Sequence, residues 1–176
     1  MNYRIRQAKV DDLAALADIE RSAAAQFLDV GLDGDFIDSV IPLDVHRLAC
    51  DEGRLWVAVE ESDRCVGFAL ALFLEDGMPL LQEIDVEPAH GRRGLGRRLV
   101  AAVADWARGR QAAALVLSTF RDVPWNAPFY ANLGFAIVAE EALSAAERGL
   151  REEERAHGLP LADRVVMRLD LTVPRE

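Results

Sequence analysis

Ile84-Asp85-Val86-Glu87-Pro88-Ala89-His90-Gly91-Arg92-Arg93-Gly94-Leu95-Gly96-Arg97-Arg98-Leu99 passes from β-type to helix-type sequence through a turn rich in glycine and arginine. Leu80–Val86 reads as a strand, Glu87-Pro88-Ala89-His90 breaks it, and an Ala-rich helix runs from Leu95 to Gly109. A turn between a strand and a helix N-terminus aims unpaired backbone N–H groups at an anion, and a diphosphate is its natural guest. Gly94 and Gly96 remove side chains where a phosphate must approach the backbone, and the helix dipole together with Arg92, Arg93, Arg97 and Arg98 favours negative charge. The plainer alternative is that Gly91 and Gly94 only make a turn and the arginines form a solvated face. The dinucleotide spacing G-x-G-x-x-G is absent, so the turn alone does not select a nucleotide.

Outward from this point, Tyr3-Arg4-Ile5-Arg6 alternates as a first strand, and Asp11-Asp12 opens a helix with Leu13, Leu16, Ile19 and Ala23 on one side. Leu28–Pro42 reads as a loop and Leu43–Glu52 as a short helix; Arg54–Glu60 and Arg64–Leu74 form a hairpin. Beyond the central helix come a buried strand at Ala113–Ser118, a helical turn at Pro124–Asn132 and a strand at Phe135–Val138. The charged stretch Glu141–His157 reads as a surface helix, a place for a partner or a second copy, before a closing strand Arg164–Leu171. Strands both in hairpins and in alternation with helices imply an α/β or α+β fold, a mixed sheet with helices on its faces.

The 176 residues suit one domain, expected over 1–176. A formal charge of −10 argues against nucleic acid as a partner and favours a cationic acceptor. No apolar run is long enough to cross a membrane, and the start lacks a signal-peptide core, so the chain is expected in the cytoplasm. Cys50 and Cys65 stand alone, without metal-ligand spacing, and read as free thiols; no metal is expected.

The run from Ile84 to Leu99 resembles the pyrophosphate-binding motif Q/R-x-x-G-x-G/A of the GNAT acetyltransferases, with Gly91 standing at the Gln/Arg position. Asn126-Ala127-Pro128-Phe129-Tyr130-Ala131-Asn132-Leu133-Gly134-Phe135 resembles that family's later helix, though Val123 stands where the family has an Asn. The order of the two stretches also agrees, and the resemblance covers essentially the whole chain. It implies a mixed, mostly antiparallel sheet of about six or seven strands flanked by helices. The implied reaction is direct acetyl transfer from acetyl-CoA, as cosubstrate, to a primary amine of a small molecule or protein.

The same resemblance assigns cofactor contacts to Arg92, Arg93, Gly94, Leu95, Gly96 and Arg97, to the backbone of Ile84 and Val86 along the pantetheine arm, and a related contact to Asn126. Tyr130 would protonate the departing thiolate, a task for which a phenol with a pKa of about 10 is suited. An alkyl ammonium must lose a proton before attack, and Glu83 is the first candidate base with Asp85 second, since strand alternation puts both on one face. Their plainer role is as surface or ion-paired carboxylates, and that of Tyr130 as a core tyrosine. His90 is expected as an exposed turn residue, and the acidic loop Asp29–Asp38 as a place for acceptor specificity. The competing function is a CoA-binding regulatory or interaction module without turnover.

Overall fold

A computed structural model describes residues 2–32 and 39–172. Asp33, Asp35 and Asp38 of the expected specificity loop lie outside the described residues. In chain order the elements are β1 (Arg4–Gln7), α1 (Leu13–Ala24), α2 (Leu43–Asp51), β2 (Leu55–Val59), β3 (Cys65–Phe73) and β4 (Pro79–Val86). There follow α3 (Leu95–Gly109), β5 (Ala114–Phe120), α4 (Ala127–Ala131), β6 (Ala136–Ile137), α5 (Ala145–Ala156) and β7 (Arg164–Asp170). The strands form a seven-stranded sheet in the order β1-β2-β3-β4-β5-β7-β6. It is mixed: β4 meets β5 in parallel at Leu80 and Val116, while β1 with β2, β2 with β3, β5 with β7 and β6 with β7 run antiparallel.

The chain divides into two compact units, Met1–Leu72 with Leu81–Asp105, and Phe73–Leu80 with Trp106–Glu176. In the first, α1 buries Leu13, Leu16, Ile19 and Ala23, the stripe its spacing predicts, and the first three join one core with Leu55, Val57, Phe68 and Leu70 of the β2–β3 hairpin. Every residue of β2 is buried, which explains its unbroken apolar run. Gly67 of β3 answers a close approach: a Cβ there would stand 2.7 Å from the carbonyl oxygen of Asp85. Only glycine lets β3 lie this near the end of β4.

In the second unit Leu74, Leu80, Val116, Leu143, Ala146, Leu150 and Val166 form a core. The surface helix expected over Glu141–His157 is corrected here. It begins only at Ala145, because Ser144 and Glu147 form a capping box that sets the first turn. One face is buried, including two carboxylates: Glu147 pairs with Arg168, whose Nε lies 2.6 Å from Oε1, and Glu154 with Arg164 at 2.7 Å. Pairing permits a strongly charged helix to pack inward, and so its low apolar content misleads. The helical turn expected over Pro124–Asn132 shortens to α4.

Candidate active site

After β4 the backbone folds tightly. Glu87 N–H donates to Val66 O at 2.9 Å, His90 N–H to Glu87 O at 2.8 Å and Gly91 N–H to Pro88 O at 3.1 Å. A Cβ at Gly91 would crowd that same Pro88 oxygen at 3.2 Å, a local reason for glycine at this position. Arg92 (φ 57°) and Gly94 (φ 75°) then take left-handed conformations, which for a residue such as Arg92 costs about 1–2 kcal/mol. A Cβ at Gly94 would meet nothing within 4 Å, so that side of the turn is open. Arg98 N–H donates to Gly94 O at 3.1 Å, and the amides of Leu95, Gly96 and Arg97 precede this first helical bond of α3. These donors stand at the positive end of a helix of 15 residues, anchored by the buried Leu95 side chain. They suit a phosphate group.

The four arginines are not equivalent. Arg98 Nη2 donates to Tyr3 O at 3.0 Å, and the Arg93 guanidinium lies 5.8 Å from the Tyr3 ring centroid. Arg92 and Arg97 are exposed and make no hydrogen bond or ion pair among the described residues. His90 departs from the expected exposed histidine: it is buried, between Tyr3 and Arg64.

In the same unit three carboxylates face one another electrically. Burial, with the charges of Glu83 and Glu20 added, pushes the Asp85 carboxyl well above the usual carboxylate range. Its Oδ2 is enclosed and has no hydrogen-bond partner. Burial also raises Glu20 of α1 to about 7, with the charge of Glu83 adding to the rise and the Ile41 N–H opposing it. That N–H, 3.0 Å and 3.1 Å from the two oxygens, holds the Glu20 carboxylate in place. Sequence reasoning missed Glu20, although its position beside Ile19 on the buried stripe of α1 was the available signal. Among the described residues no group of three or more His, Cys, Asp or Glu is arranged to hold a metal ion.

In the second unit Tyr130 of α4 is buried, with its ring edge-on to Phe129 at 5.1 Å and to Phe135 at 5.6 Å. Asn126 precedes α4, receives the Tyr130 N–H on its carbonyl at 3.0 Å and makes no side-chain cap bond. Val123, at the family's Asn position, is a buried apolar residue. A recess of about 370 Å³ beside α4, lined by Ala127, Pro128, Ala131, Phe135, Met167 and others, includes none of the predicted site residues.

Among solved structures, the chain is similar to a PaiA N-acetyltransferase from Thermoplasma acidophilum in complex with coenzyme A, at 15% identity and a TM-score of 0.70, over 97% of this chain and 99% of that one. It is similar also to yncA from Salmonella typhimurium, solved with acetyl-CoA (22% identity, TM-score 0.66, 100% and 98% covered). A third is the ribosomal-protein-S18-alanine N-acetyltransferase from Escherichia coli (19%, 0.61, 99% and 97%). At such identities these likenesses speak for the fold. The sequence itself carries the rest, since residues 16–135, from α1 through the turn to the Gly-Phe after α4, match the model of the acetyltransferase (GNAT) family. With that match over most of its length, the chain belongs to the GNAT acetyltransferase family.

Proposed function

We propose that the chain transfers an acetyl group from acetyl-CoA to a primary amine. The observation that carries this reading is the pairing, within one unit, of an amide-lined basic turn with three carboxylates, Glu20, Glu83 and Asp85, in which the charge of Glu83 raises both of the others. The amides of Leu95, Gly96 and Arg97 and the side chains of Arg92 and Arg97 hold the diphosphate, with Arg93 and Gly94 shaping the turn. The backbone of Ile84 and Val86 takes the pantetheine arm as an added strand would. Acetyl-CoA supplies an activated thioester.

The mutual repulsion that raises Glu20 and Asp85 would be relieved by a protonated amine, and so the acceptor is cationic. Glu83 takes the ammonium proton before attack; the C–N bond forms, the C–S bond breaks, Tyr130 gives a proton to the sulfur, and the second proton, lost from nitrogen as the amide forms, returns through solvent to Tyr130. Asp85 suits the base role less well, because burial beside two carboxylates favours its protonated form. Asn126 is proposed to contact the cofactor.

Calorimetry with acetyl-CoA, and release of free CoA against a panel of mono- and polycationic amines in the same preparation, tests this. Binding with amine-dependent release is the expected result. Binding with no release to any amine or peptide would instead identify a CoA-binding module, and absence of binding would overturn the reading.

A further inference from the structure

Tyr3 touches the region of the turn at three places, and no motif explains why. Its hydroxyl lies 2.8 Å from His90 Nδ1, the Arg93 guanidinium sits over its ring at 5.8 Å, and its carbonyl accepts from Arg98 Nη2 at 3.0 Å. These contacts fall just before the turn, within it, and in the first turn of α3. We infer that Tyr3 and His90 form a strut that fixes the shape of the anion-binding turn, as positioning residues for the cofactor's diphosphate; this rests on the acetyl-CoA reading above.

The strut has a defined polarity. Arg64 can only donate, so at 2.8 Å from His90 Nε2 it makes that nitrogen an acceptor. A neutral ring then carries its proton on Nδ1 and donates it to the Tyr3 hydroxyl. Arg64 is itself held by Glu60 at 2.8 Å and Glu87 at 3.1 Å, and both carboxylates stand near the ring, 3.8 Å from Nδ1 and 3.5 Å from Nε2. His90 is thus fixed from both sides immediately before Gly91.

What this fixation accomplishes follows from the strain next to it. Arg92 holds a left-handed backbone that a non-glycine residue keeps only when its surroundings over-determine it. With His90 held on one side and Arg93 and Arg98 on the other, residue 92 has little freedom to relax. The arrangement also divides the arginines: Arg93 and Arg98 are engaged with Tyr3, which leaves Arg92 and Arg97 to meet the anion.

The test compares Tyr3→Phe and Tyr3→Leu with the unaltered protein, using acetyl-CoA and S-acetylpantetheine, a donor without the diphosphate. Loss of one hydrogen bond in Tyr3→Phe should raise KM for acetyl-CoA about threefold, and further loss of the ring in Tyr3→Leu about tenfold, with kcat within about twofold. For S-acetylpantetheine kcat/KM should not change. Equal loss with both donors would mean general damage to the fold, and no rise in KM would mean an idle contact; either overturns the strut. Hydrogen exchange of the free protein separates this inference from the reading beneath it. If the unaltered chain fails to bind acetyl-CoA, that reading falls, yet faster exchange over residues 91–98 in Tyr3→Leu would still establish the strut, and unchanged exchange would remove it.

Discussion

Glu147 and Glu20 are both buried carboxylates on amphipathic helices, 2% and 7% exposed, and they sit in opposite electrical settings. Burial works to raise the Glu147 carboxyl, but the Arg168 guanidinium and the Ser144 N–H outweigh it and leave it below the ordinary range. Asp12 is held low in the same way, by Arg6 at 2.7 Å and the Lys9 N–H against the effect of burial. Glu20 accepts from the Ile41 N–H and is drawn down by the charge of Arg21, but burial and the charge of Glu83 outweigh both. The difference teaches where to look for chemistry. This fold pairs other buried acids with arginine, whereas Glu20 and Asp85 are raised by burial and by the charge of Glu83, and a site where carboxylates are raised in this way is one that a cationic ligand improves.

The largest effect should come from within the set of Glu20, Glu83 and Asp85. Glu83→Gln removes the proposed base and should lower kcat by about 10²- to 10⁴-fold. Asp85→Asn keeps the shape of a protonated acid and should change kcat by about tenfold or less, because Asp85 is already held toward its neutral form. A steady-state comparison at saturating acetyl-CoA reads both. If the two effects came out in the reverse order, Asp85 would be the base and the roles drawn within the cluster would exchange.

Among the paired acids, stability should respond instead of turnover. Arg168→Met leaves the Glu147 charge buried without its cation and should cost about 3 kcal/mol in urea unfolding. The double variant with Glu147→Leu should recover much of the loss, since an apolar pair of similar volume removes the stranded charge. An Arg168→Met protein as stable as the original would show that Ser144 and its capping box suffice for Glu147, and the contrast between the two settings would weaken.

These regions also differ in how far the sequence disclosed them. The turn is contiguous: the break at Pro88, the glycines and the periodicity of α3 lie within one short stretch, and α3 runs over the Leu95–Gly109 expected from it. Glu20 and Glu83 influence each other only because α1 and the end of β4 from Leu81 onward share a unit, and a single polar residue on an apolar stripe does not announce what it faces. Tyr3 and His90 are joined across 87 positions, so the turn's support was invisible where its shape was plain. The helix α5 was misjudged for a related reason, since its buried acids find their arginines on β7. Local geometry was legible, and pairing over distance was not.

Opposite pH dependences should give the smallest and most direct measure of the contrast. Glu20 has a folded-state value of about 7 against an ordinary 4.5, so the folded chain keeps a proton that the unfolded chain releases. Its contribution to stability is fully present below about 4.5 and is lost as the pH rises through about 7. Glu20→Gln imitates the protonated state; its thermal midpoint should match the original near pH 4.5 and exceed it by about 2–4 °C at pH 8. Asp63 shows the reverse. Hydrogen bonds from Arg6 and Lys9 bring it down to about 2 from 3.8, so its contribution is present above about 3.8 and fades as the pH falls through about 2. Asp63→Asn should therefore lie below the original at neutral pH, by a margin that narrows in acid and in high salt, since this carboxylate is partly open to solvent. A Glu20→Gln advantage that stayed flat from pH 4.5 to 8 would mean that Glu20 is as well compensated as Glu147, and the cationic acceptor would lose the repulsion among carboxylates proposed to attract it.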